Sequence, residues 1–156
     1  VRKSVIAVAT ALGHEDKGAQ VAADFDARLA AITSPADGQR TLYVTPSGYT
    51  SGPKTLVHAM LTAAGLRNAE AQAGWRPIPL EELVRSPPQA IVQAFFDQER
   101  VQQDVWSTAR HPVLQSIMRH RPTASLDGAW TACGGWFLIE AVERMAVLAS
   151  PAHKAP

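Results

Sequence analysis

Two places in the sequence carry residue types that could do chemistry. The first is Val44–Leu56, VTPSGYTSGPKTL, which mixes glycines, hydroxyls, a proline and Lys54 in the manner of phosphate-binding loops. A Walker loop needs four residues between its first glycine and a Gly-Lys-Ser/Thr, so that successive backbone N–H groups curl around the phosphates and the lysine follows directly. Here three residues separate Gly48 from Gly52, and Pro53 stands between Gly52 and Lys54. Proline also removes one of the helix N-terminal donors that an anion would use. The spacing argues against a nucleotide and leaves a ligand loop with Tyr49 at its tip. The second place is Cys133, at the expected N-terminus of the last helix, where the helix dipole favours a thiolate. A catalytic cysteine needs a base, and none of His14, His58, His111, His120 and His153 is placed beside it by sequence or falls in a metal-ligand spacing. An α/β enzyme acting through Cys133 or residues 45–53 stays open, against a small half-buried thiol of no chemical role.

The tryptophans form a third feature. Trp75, Trp130 and Trp136 lie in turn-like or helix-start contexts flanked by Gly, Pro and Asp, whereas Phe25 and Trp106 sit inside periodic segments. Loop tryptophans suit a flat apolar contact surface, or equally the plugging of a sheet's ends. Bulk charge selects no partner: 15 basic and 14 acidic side chains leave a net charge of +1 with no block of like sign, so neither nucleic acid nor an anionic membrane is implied. A single cysteine excludes an intrachain disulfide and a cysteine metal cluster.

The elements that must position these residues follow from periodicity and punctuation. The length of 156 residues suits one domain with a sizeable core. VRKSVIAVATALG imitates the start of a secretory signal, but Val5, Val8 and Leu12 suit a packed helix and no clean cleavage site precedes His14, so no signal peptide is expected. Val21, Phe25, Leu29 and Ile32 mark a long amphipathic helix over 15–32. TLYV reads as a buried strand, a helix is expected over 54–64 with Pro53 in its first turn, and LEELVR as a short helix. Ala90–Phe96 reads as a second strand, Val101, Val105 and Ala109 as a helical stripe, and HPVLQSIMRH as a helix opening with Pro112. PTASLD is a weak third strand before a last helix over 133–149. Strands alternating with helices predict a parallel sheet covered on both faces, with ligand groups on loops at the strands' carboxyl ends.

The stretches LYVTPSGYTSGPKTLVHAMLTAAGLRNAEAQAGWRPIPLEELVRSPPQAIV and HPVLQSIMRHRPTASLDGAWTACGGWFLIEAVERMA resemble, in order and spacing over about 13–149, the C-terminal lobe of ABC-transporter periplasmic solute-binding proteins. The class resembled takes up cobalamin, haem and iron-siderophore complexes. The resemblance implies a three-layer α/β/α lobe with a mostly parallel sheet, preceded by a long interlobe helix. It divides the chain into a helical segment, 1–35, a ligand-binding lobe, 36–150, and a frayed tail, 151–156. It implies no enzyme and no cofactor, a periplasmic location, and a metal-chelate, corrin or porphyrin ligand held between two lobes, of which this chain holds one. Its partners would be an ABC permease and either the missing N-terminal lobe or a second copy of the chain. Carried over residue by residue, the ligand-facing aromatics are Tyr49, Trp75 and Trp130, with Trp136 a weaker candidate. Phe95 and Phe96 occupy a further cleft-facing position where relatives are often small or polar. Permease docking falls on Glu81, or on its neighbour Glu82; an ordinary solvated carboxylate at a helix start is the plain alternative for both. A stand-alone interaction domain is the third functional reading.

Overall fold

The computed structural model describes residues 1–32, 38–95 and 108–149. Its centre is a four-stranded, wholly parallel sheet of β1 (Arg40–Val44), β3 (Arg67–Asn68), β5 (Ala90–Phe95) and β6 (Thr123–Asp127), in the order β3-β1-β5-β6. A separate antiparallel ribbon pairs β2 (Tyr49–Ser51) with β4 (Trp75–Pro77). The helices are α1 (Arg2–Ala11), α2 (Glu15–Ala31), α3 (Leu56–Ala63), α4 (Leu80–Arg85), α5 (Pro112–His120), α6 (Gly128–Ala132) and α7 (Leu138–Ala146).

Strand alternation decides the layers. Tyr43, Ala90, Val92, Ala94, Ala124 and Leu126 point to one face and pack against Val57, Met60 and Leu61 of α3 and Leu138, Ile139, Val142 and Met145 of α7. Leu42, Val44 and Ile91 point to the other and meet Leu83 of α4 and Leu114 of α5, with Ile78 beside them. Helices on both faces of a parallel sheet make the three-layer α/β/α lobe expected from the sequence. The Phe25, Leu29 and Ile32 stripe of α2 packs on the first of these cores. Arg28, on the same helix, bridges to Glu140 and Glu143 of α7 at 2.9 and 2.6 Å.

The chain runs from β1 outward to β3, then back across to β5 and on to β6, so the winding direction reverses between β1 and β5. The helix after β1, α3, covers one face and the helix after β5, α5, covers the other. A crevice therefore opens outside the carboxyl ends of these two strands, where doubly wound sheets place ligands.

Three expectations shift. The helix after the Val44–Leu56 loop starts at Leu56, not Lys54, because Thr55 Oγ1 accepts from the His58 N–H at 3.2 Å and Lys54 takes φ +64. The last helix, expected over 133–149, starts only at Leu138, and a separate short helix, α6, precedes it. The break falls at Gly134–Gly135, which favour non-helical backbone; α6 is capped by Asp127, whose carboxylate accepts from Ala129 N–H at 2.9 Å, and α7 continues into a 3₁₀ turn, Val147–Ala149. Cys133 is thus the C-terminal cap of α6, extended and exposed, and gains nothing from a helix N-terminus. The short β2–β4 ribbon has no counterpart in the sequence reading. Of the Val101–Ala109 stripe, Val101 and Val105 lie outside the described residues, and Thr108–Arg110 form a 3₁₀ turn. The tail 151–156 also lies outside them.

Candidate ligand-binding site

The loop with the glycines answers its own question through its amides. After β1, Gly48 N–H goes to the Thr45 carbonyl at 3.0 Å and Tyr49 N–H to Thr45 Oγ1 at 2.9 Å, which closes a tight turn. Gly48 sits at φ +79, and a Cβ there would come within 2.7 Å of Thr108, so both space and backbone require glycine. Gly52 N–H goes to the Gly74 carbonyl at 2.8 Å, and a Cβ on Gly52 would collide with the Gln72 carbonyl. These amides are spent on the chain's own carbonyls and hydroxyls, so they offer no cradle to a phosphate. Gly52 instead lets the β2 segment lie close against the segment leading into β4, and Gly48 lets the turn pack against Thr108.

That crossing presents aromatic rings. The register pairs Tyr49 with Pro77 and Ser51 with Trp75, so Tyr49 and Trp75 share one face of the ribbon, diagonally placed. Both are large and exposed, Tyr49 at 43% and Trp75 at 54%. Trp75 meets the buried Tyr43 ring edge-on, with centroids 5.9 Å apart and planes at 71°. Burial pushes the Tyr43 phenol pKa up. Trp130, next to Thr131, is half-buried and packs on the core cluster to which Tyr43 belongs. Tyr43 thus touches the ribbon and shares a core cluster with the residues on which Trp130 packs. In the sequence it is the aromatic residue of a buried strand, and nothing there marks it as a neighbour of Trp75.

The other expected site residues are distributed as follows. Phe95 ends β5 opposite Asp127 of β6, at the carboxyl edge of the sheet. Phe96 lies outside the described residues. Trp136 is exposed beside Phe137, ring centroids 6.1 Å apart, and lines an apolar groove of about 610 Å³ with Val8 and Leu12 of α1 and Val21 of α2. It faces the helical hairpin, and no ring contact joins it to Tyr49 or Trp75 among the described residues. No three His, Cys, Asp or Glu side chains among the described residues converge as metal ligands would.

Glu81 and Glu82 occupy the first turn of α4, and both are exposed. They differ in partners. Glu82 lies 3.8 Å from Arg76, which also reaches the buried Glu70 at 3.5 Å. Glu81 has no ion pair among the described residues. Neither the ion pairs of α4 nor the ribbon below it draws on the carboxylate of Glu81.

A family model described as periplasmic binding protein matches residues 1–121. Among curated proteins none matches. Solved structures do. The periplasmic heme-binding protein BhuT, in complex with two hemes, is 26% identical with a TM-score of 0.73, covering 96% of this chain and 63% of that one. An ABC-type Fe3+-hydroxamate transport system protein from Saccharomonospora viridis is 19% identical (TM-score 0.72, covering 93% and 53%). The siderophore binding protein BauB, bound to two molecules of acinetobactin and ferric iron, is 15% identical (TM-score 0.75, 96% and 57%). The latter two share the fold. The chain therefore spans between about half and two thirds of the length of these relatives. The matched family is one of binding proteins and not of enzymes.

Proposed function

The chain belongs to the periplasmic binding protein family, and from that membership we infer that it is the C-terminal lobe of the solute-binding component of an ABC importer for a metal chelate. The family suggests a periplasmic location, and no helix among the described residues is long and apolar enough to cross a membrane. The ligand class is a large, partly apolar metal chelate such as haem, a ferric siderophore or a corrin. One observation carries this: Tyr49 and Trp75 stand exposed on one face of a ribbon that closes glycines hold beside the switch point of the sheet. Exposed rings on a rigid support bind planar ligands with little loss of side-chain entropy. Trp130 is assigned to the same surface. Phe95, which ends β5 at the switch point, is a secondary contact in this reading, as are Phe96 and Trp136.

Residues 36–150 form the ligand-binding lobe in this reading, and residues 1–35 contain the helix that joins it to an N-terminal lobe. The apolar groove between α1, α2 and Trp136 is where that lobe, or a second copy of the chain, rests. Glu81 is the docking carboxylate for a permease arginine, since Glu82 is engaged by Arg76. Nucleic acid has no part.

The test is a panel of equilibrium titrations with haemin, a ferric hydroxamate and cyanocobalamin, run on the 156-residue chain and on the product of the complete reading frame. Binding by enclosure between lobes requires that the complete product bind one chelate class tightly and the single lobe bind it more weakly. Equal affinity for both proteins would sink the two-lobed cleft; indifference of both to every chelate would sink the ligand class.

A further inference from the structure

The geometry points to Asn68 and Glu70 as the positioning residues of the ribbon that carries Tyr49 and Trp75: the amide of Asn68 holds β2, and the carboxylate of Glu70 holds β4. The inference rests on the assignment of Trp75 to ligand contact and deepens it. The ribbon has three residue pairs, too few to keep an orientation without tertiary contact. Asn68 supplies one from the central sheet. It stands opposite Thr41 of β1, and the next amide, that of Ala69, donates to the Thr41 carbonyl at 2.8 Å. From that fixed place Asn68 Nδ2 donates to the Ser51 carbonyl of β2 at 2.7 Å and lies 3.3 Å from His58 Nδ1 on α3. Its Oδ1 accepts from the Glu70 N–H at 3.0 Å, which joins the two positioning residues to each other.

Glu70 secures the other strand. Its carboxylate accepts from the Gln72 N–H at 2.7 Å and pairs with the Arg76 guanidinium of β4 at 3.5 Å. The side chain is only 3% exposed, so it has little water to turn to and depends on these partners. Gly52 makes room for it, since a Cβ there would stand 3.1 Å from Glu70 Cγ. Strand alternation puts Thr50 and Arg76 on the ribbon face opposite Tyr49 and Trp75, so Glu70 grips the ribbon from behind its aromatic face. Arg76 has a second carboxylate in Glu82 of α4, at 3.8 Å, but that side chain is 59% exposed and screened. With Glu70 neutral, Glu82 draws the guanidinium away from the ribbon toward α4.

The readout is ¹⁹F NMR of the chain labelled with 5-fluorotryptophan, in which the four tryptophans are assigned by single Trp→Phe replacements. Glu70→Gln keeps an acceptor for the Gln72 N–H and loses the charge that holds Arg76; Asn68→Asp puts an oxygen against the Ser51 carbonyl. Each is expected to shift the Trp75 resonance and leave those of Trp130 and Trp136 in place, whereas Glu82→Gln leaves all three. In an Arg76→Met background Glu70→Gln is expected to move Trp75 no further. If either variant leaves Trp75 unmoved, or moves all three resonances together, the positioning role of that residue is overturned. An undiminished Glu70→Gln shift in the Arg76→Met background, or an equal shift in Glu82→Gln, overturns the Glu70–Arg76 pair as its means. Should Glu70→Gln or Asn68→Asp fail to fold, Glu70→Asp, too short for Arg76, and Asn68→Ser, which lacks the amide, take their places. Haemin affinity of the complete protein is then expected to fall about two- to tenfold in Glu70→Gln, the range of one hydrogen bond. If the resonances shift as expected while the unmutated protein binds no chelate, the ligand assignment fails and the positioning role stands. If haemin binds the unmutated protein and Glu70→Gln equally well, the role in binding is overturned.

Discussion

Replacing Arg28 by alanine removes a guanidinium that donates to Glu143 at 2.8 and 2.6 Å and to Glu140 at 2.9 Å, tying α2 to α7 across 112 to 115 residues of sequence. The carboxylates are about two-fifths exposed, so the Coulomb attraction is screened and each pair contributes only about 0.5–1 kcal/mol. The alanine variant also leaves Glu140 and Glu143 three residues apart on one helix, which adds about 0.3–0.5 kcal/mol of repulsion. The total, roughly 1.5–2.5 kcal/mol, corresponds to a fall in melting temperature of about 4–8 °C for a domain of this size. Arg28→Lys should recover less than half, since an ammonium cannot serve two carboxylates with a planar fork. The pH dependence has a definite sign. Arg28 holds the Glu143 carboxyl below the usual glutamate range, chiefly through its hydrogen bonds. A depressed carboxylate contributes stability above its unfolded value and loses it as pH falls through the folded one. The gap between wild type and Arg28→Ala should therefore be constant near neutrality, shrink below about pH 4, and narrow in molar salt. Differential scanning calorimetry from pH 7 to pH 2 measures it. A gap under about 1 °C at neutral pH, or one that persists undiminished at pH 2, would refute the ion-pair account.

Three further outcomes are expected. Gly52→Ala drives a methyl into the Gln72 carbonyl, and should cost about 1–3 kcal/mol or more in urea unfolding while displacing Trp75, visible in its fluorescence. Leu114→Ala empties a fully buried site in the second core and should cost about 2–5 kcal/mol in the same assay, without touching chelate affinity. Glu81→Ala, in the complete protein, should leave melting temperature and chelate affinity unchanged but lower uptake through loss of one charge-assisted contact of about 1.5–3 kcal/mol; a variant that docks normally and loses its ligand would place Glu81 in the cleft instead.

The parts of the fold that rest on long periodic segments were legible in the sequence. The Phe25, Leu29, Ile32 stripe of α2, the buried strand TLYV and the Pro112 start of α5 needed only a period and a punctuation residue. PTASLD read as a weak strand because only Ala124 and Leu126 point to a core; it forms a full ladder with β5 because parallel pairing, not side-chain hydrophobicity, supplies its partners. The β2–β4 ribbon was not legible. Three-residue strands carry no period, and the signal lies in two glycines: Gly52 packs against the Gln72 carbonyl and Gly74 takes φ +89, a meeting that exists only in three dimensions. The same reason hid Tyr43, whose neighbour Trp75 is remote in sequence. The helix terminus expected at Cys133 failed locally, since Gly134–Gly135 interrupts the apolar pattern that seemed continuous through it. The resemblance to solute-binding lobes bridged part of this gap by supplying long-range order that single residues do not encode.

The central claim is that exposed aromatics on the ribbon bind a planar metal chelate. It is tested most directly by titrating haemin into the complete protein and into its Trp75→Ala variant, following the Soret band. The expected result is saturable one-to-one binding by the unmutated protein and a dissociation constant raised about tenfold, or roughly 1.4 kcal/mol, in a variant that remains folded. A folded Trp75→Ala protein that binds haemin as tightly as the unmutated one would contradict the assignment of the site.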